Sequence, residues 1–137
     1  MNKQLISILR GGIIATAIMT MLMLVAPMMG MPKMAIGNML AGFIGIPVWM
    51  GWVMHFVIGT VLAAAYVFVW KNRLPGSAVV KGLLFALIPF FMAQIIVMPM
   101  MGAGLFSGNT PAPMMMVTGS LLGHLIYGAV LGAVSKS

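Results

Sequence analysis

The chain has 137 residues and contains no Asp, no Glu and no Cys. Without carboxylates there is no paired acid and base for glycoside chemistry, no Ser-His-Asp triad and no oxygen cage for calcium or magnesium. Without cysteine there are no disulfides, thiolate nucleophiles, Cys-ligated zinc sites or iron–sulfur clusters, and the redox compartment stays open. Charge of any sign is scarce, at 5% of residues, where a soluble domain carries about 25%. So few charges cannot keep a water-soluble domain dispersed.

What is present is apolar. Hydrophobic residues make up 63% of the chain, and the mean hydropathy is +1.18. Four long uncharged runs stand out: Leu5 to Met29 (interrupted only by Arg10), Val48 to Trp70, Val79 to Met101 and Met115 to Val134. Each has about 20 residues or more, enough at a helical rise of about 1.5 Å to cross a hydrocarbon core of roughly 30 Å. None alternates polar with apolar as a barrel strand does. The expected fold is all-α, an integral membrane four-helix bundle forming one domain over residues 1–137. The segment from Pro32 to Pro47 is apolar but too short to span, and is expected to be a short interfacial or re-entrant helix starting near Pro32.

The formal charge of +7 comes from scattered residues, so it marks topology and not a nucleic-acid face. In a four-span arrangement Lys3, Arg10, Lys71, Arg73, Lys81 and Lys136 share one side and Lys33 alone takes the other. Basic residues are retained on the cytoplasmic side, so both termini are expected there, in the inner membrane of a bacterium. The first run is too long for a secretory signal and has no convincing cleavage site, so it is expected to remain attached.

Spans two and four share a pattern. The ten residues from His55 to Ala64 align without gaps to those from His124 to Ala133, with five identities. A basic residue followed by Gly opens spans one and three (Arg10-Gly11, Lys81-Gly82), and Pro-Met-Met-Gly closes them (Pro27 to Gly30, Pro99 to Gly102). The landmarks recur at offsets of 69 to 72 residues. We therefore expect two hairpins related as parallel repeats, about 1–70 and 79–137. Many transporters use inverted repeats instead, so this arrangement does not favour a small transporter or channel. With His55 before Gly59 and His124 before Gly128, the chain resembles a family of uncharacterised bacterial four-helix membrane proteins, a domain of unknown function with His-xxx-Gly in its second and fourth spans. The resemblance covers most of the chain and implies the fold, with no chemistry attached.

The two histidines are the candidate site, because ionisable groups inside a bilayer are costly and mark function by default. Gly59 and Ala63 follow His55 at four-residue intervals, and Gly128 and Gly132 follow His124. Each His thus tops a strip almost without side-chain bulk. Such a strip admits another helix closely, in the GxxxG manner, or leaves room for a flat ligand. The packing reading makes the protein a non-enzymatic accessory or scaffolding component, with the lipid bilayer and a membrane protein or second copy as its partners. A ligand reading places a b-type haem between His55 and His124, with Gly59 and Gly128 opening the slot. A third uses methionine, which is abundant at 18 residues. Thirteen of these fall in the outer segments, so Met54, Met100 and Met115 with His55 and His124 are candidate ligands for Cu(I). Met as a flexible apolar filler is the competing explanation.

Hydroxyls within the spans are expected to bond back to their own helix. Gln94, the only amide inside a span, is expected to bond across helices. Tyr66 and the three Trp are expected to anchor at the interface.

Overall fold

The computed structural model describes residues 2–135, and these are helical with no strand among them. Four helices are long and apolar enough to cross a membrane. They are span one (Lys3–Met29), span two (Val48–Trp70), span three (Ala78–Met100) and span four (Pro113–Val134). The chain is an integral membrane protein of the four-helix type.

Local chemistry sets the helix ends. The Asn2 side chain accepts from the Gln4 amide at 3.1 Å, and Ser77 caps span three through the Val80 amide. Pro113 opens span four, where its missing N–H is not needed. Gly30 and Gly45 terminate helical segments with φ of 87° and 79°, a left-handed conformation that side chains other than glycine resist. Two spans contain π turns. Span two ends in one, with the Lys71 amide donating to the Tyr66 carbonyl at 2.8 Å. Span three has another at Ala93–Val97, just beyond the internal Pro89 that cannot donate to the helix ladder.

Neighbouring spans run antiparallel, as their residue pairings show. From one end to the other, span one meets span two through Gly12 and Thr60, then Thr16 and Gly59, then Thr20 and His55. Span one meets span four through Gly11 with Leu131 and Met19 with Gly123. Span three meets span four through Gly82 with Gly128 and Gly132. This up-down order gathers Lys3, Arg10, Lys71, Arg73 and Lys81 at or near one end, the basic end, and leaves Lys33 at the other. Lys136, counted with the basic group from sequence, lies outside the described residues.

The short helix spans Ile36–Ile44 and packs on the start of span two, with Gly37 under Trp52 and Gly51 against Ala41. It begins four residues later than expected. Pro32 disfavours helical backbone at Met31, and in the irregular stretch that follows Met34 is buried. A second expectation is corrected at Tyr66. It is no interface anchor but a buried ring tilted against Phe85, with centroids 5.3 Å apart.

Three seams of the bundle are closely packed: span one with two, span one with four, and span three with four. The fourth is not. Spans two and three meet chiefly near the basic end, in a small contact between Tyr66–Trp70 and span three. The small-residue strips, expected to receive a partner, are spent inside the bundle. A Cβ on Gly128 would strike the Gly82 carbonyl, one on Gly132 the Ala78 carbonyl, and one on Gly59 the Thr16 hydroxyl.

Candidate functional site

Where spans two and three part, in the half away from the basic end, the four spans and the short helix enclose a cavity of about 230 Å³. Its wall includes both His55 and His124, together with Thr16, Gln94, Ser120 and Tyr127. The remaining lining is apolar and rich in thioethers: Met19, Met23, Met34, Met39, Met92, Met98 and Met101.

Each polar group has a distinct setting. His55 is buried, and its Nε2 lies 3.0 Å from the Thr20 hydroxyl of span one. Trp52 and Phe56 meet its ring edge-on, both with centroids 5.9 Å away. His124 is held by its own helix. Its Nδ1 lies 2.7 Å from the Ser120 carbonyl. A carbonyl only accepts, so Nδ1 carries the proton and a neutral ring keeps a lone pair on Nε2. No described residue bonds that nitrogen.

Gln94 is 1% exposed and accepts through Oε1 from the Ser107 hydroxyl at 3.0 Å. Ser107 belongs to a short 3-10 turn, Leu105–Ser107, in the loop before span four. Phe106 and Ser107 there have φ of 48° and 57°, a backbone that non-glycine residues adopt only when their surroundings hold it. Asn109 and Thr110 amides bonded to the Ala103 and Ser107 carbonyls supply that hold. With Oε1 engaged, the amide NH₂ of Gln94 has no partner among the described residues. Tyr127 crosses the bundle and donates to the Gly59 carbonyl of span two. Thr16, 1% exposed, has an unpartnered hydroxyl pressed behind Gly59.

These positions sort the sequence-derived candidates. His55, His124 and Gly59 come together at the cavity; Gly128 does not, because span three covers it. Met54, Met100 and Met115 are not part of the wall, and the latter two are exposed. Gln94 bonds to a loop serine and not to another span. Thr60 and Thr118 bond back to their own helices as expected, through the Phe56 and Met114 carbonyls, whereas Thr16 and Thr20 do not. Sequence reasoning missed Ser107, Ser120 and the seven lining methionines; no local signal distinguishes those from the outward ones.

The size of the space limits its contents. A cavity of about 150 Å³ takes a benzene ring, so this one admits a single substituted ring. Gly128, expected to make room for a four-pyrrole macrocycle, is packed against Gly82 and Ala86.

A family model matches residues 1–137, from one end of the sequence to the other. The chain belongs to the DUF6789 family, a family of unknown function. Comparison with curated proteins and with solved structures gives no match. What the DUF6789 chain does must therefore be argued from its own cavity.

Proposed function

We propose that this small polytopic membrane protein is a non-enzymatic binder of a small uncharged ligand, held in the cavity between its spans. One observation carries the reading: imidazoles from two different spans border the same cavity, and each retains a ring nitrogen unbonded to described residues. Buried polar groups are normally satisfied, and an ionisable group left open inside a bilayer protein marks a functional site by default. An accessory role through partner docking has less support, since the small-residue faces that would mediate it are occupied within the chain.

The ligand is uncharged on electrostatic grounds. A cation in this space would have no carboxylate to pair with, in a protein whose formal charge is already +7, and an anion would meet no Lys or Arg in the wall. A second reading, a Cu(I) site, draws on the seven thioethers and two imidazoles of the wall, a soft donor set suited to that ion. It departs from the expected ligands Met54, Met100 and Met115, and it meets the same unpaired-charge penalty.

The test is what the protein carries. Wild-type protein purified gently from membranes, then extracted and analysed by mass spectrometry and for copper, should hold an organic molecule at near-stoichiometric level. His124→Leu should lose most of it, about fivefold or more, and Thr118→Val should not. Equal retention by wild type and His124→Leu overturns the reading, and copper in place of an organic molecule selects the second.

The bias of basic residues places the basic end in the cytoplasm under this reading. Reporter fusions should then place Asn109 outside and Ser137 inside; the reverse pattern would discard the orientation, and matching answers would overturn the four-span arrangement. The two histidines, coming from similar ten-residue segments, are consistent with descent of the hairpins from one duplicated unit.

A further inference from the structure

The wall of the cavity also says how a ligand arrives and which group it presents. Three seams of the bundle close on glycines, against backbone at Gly12, Gly82, Gly128 and Gly132 and against side chains at Gly11, Gly59 and Gly123. The seam between spans two and three has large apolar side chains in their place. Ile58 on span two and Met92 and Val97 on span three line the cavity, yet each is also exposed on the outside of the bundle. Residues that face both inside and outside mark the rim of an opening. Since these lie within membrane-spanning helices, the opening faces hydrocarbon and not water.

Inside, two unbonded groups of opposite sense stand on different spans. His124 Nε2 offers a lone pair, its tautomer fixed by the bond from Nδ1 to the Ser120 carbonyl. Gln94 offers amide N–H donors, its orientation fixed by the Ser107 hydroxyl on Oε1. Of the common neutral groups a hydroxyl is the one suited to both, able to donate to an imidazole and accept from an amide. A carbonyl would satisfy only Gln94, and an alkyl chain neither.

We infer that the cavity takes the hydroxyl-bearing ring of a lipid-soluble molecule, which enters sideways from the bilayer between spans two and three while its chain trails out past Ile58 and Met92. The inference rests on the ligand-binding reading above and adds the class of ligand and its route. The volume agrees: about 230 Å³ accommodates a ring but not the ring and its tail.

Full-length protein in nanodiscs, titrated with para-decylphenol and with its methyl ether para-decylanisole, tests this. The two probes share ring and chain and differ in the hydroxyl proton. The phenol should bind saturably and about tenfold more tightly than the ether, the effect of a hydrogen bond to an otherwise unpaired buried group. His124→Phe should weaken the phenol toward the ether's level and leave the ether unchanged, whereas Gln94→Leu should weaken both, because the ether oxygen also accepts from the amide. Ile58→Trp, on the outer rim where folding is not at issue, should slow phenol association severalfold. Equal affinity for phenol and ether overturns hydroxyl recognition but leaves a ligand cavity standing. An unaltered association rate in Ile58→Trp overturns the sideways route. No saturable binding of either probe, alongside a co-purified molecule lost in His124→Leu, overturns the ligand class alone. No binding and no co-purified molecule overturns both readings.

Discussion

The seam between spans three and four and the seam between spans two and three are built from equally apolar helices, yet one is shut and the other holds a cavity. The difference lies in side-chain size at the contact. In the shut seam Gly82, Gly128, Gly132 and Ala86 let backbones approach until a Cβ on Gly128 would meet the Gly82 carbonyl. In the open seam Ile58, Leu62, Met92 and Val97 face the gap. Bulk on both sides keeps the helices apart along most of their length, and only Tyr66 on Phe85 pins them at the basic end. Hydrocarbon gives no hydrophobic force between membrane helices, so fine packing decides which pairs close. Span two is retained on its open side by Tyr127, which reaches from span four to the Gly59 carbonyl.

The comparison is most sharply broken at Gly128. Gly128→Leu forces a branched side chain into backbone that cannot move aside, and overpacking of this kind costs about 1–3 kcal/mol or more. We expect a clear fall in thermal unfolding temperature in detergent, measured by circular dichroism; an unchanged temperature would show that the shut seam is not held by its glycines. A smaller effect is expected at the open seam. Tyr127→Phe removes one hydrogen bond to a carbonyl that the helix ladder already pairs, a loss of about 1 kcal/mol. Stability should drop modestly while hydrogen exchange in span two rises more than in span three. Equal increases in the two spans would mean that Tyr127 does not serve span two in particular.

Much of the fold was legible before any coordinates. The four apolar runs match the observed spans to within a few residues, because length and apolarity alone decide what can cross a bilayer. The site was legible only in part. His55, His124 and Gln94 stand out as rare polar groups in apolar helices. Their neighbours did not, since Ser107 is thirteen residues from Gln94, at a left-handed position of the loop that is not itself a glycine. The methionines mislead for a related reason. Met100 and Met101 are adjacent in sequence, but only Met101 lines the cavity while Met100 is exposed, and composition cannot separate successive faces of one helix.

The sequence by itself determined that this protein lives in a membrane, crosses it with four helices and gathers its basic residues at one end. Those properties depend on sums over long segments, which neighbours in space do not change. Only the tertiary structure decided which small residues are spent on packing and which polar groups are left with nothing to bond. Gly59 and Gly128 occupy the same place in matching ten-residue segments, yet one borders the cavity and the other lies against span three. The physical reason is that close packing and hydrogen bonding act over a few ångströms, so a residue's role is fixed by whichever helix stands opposite it.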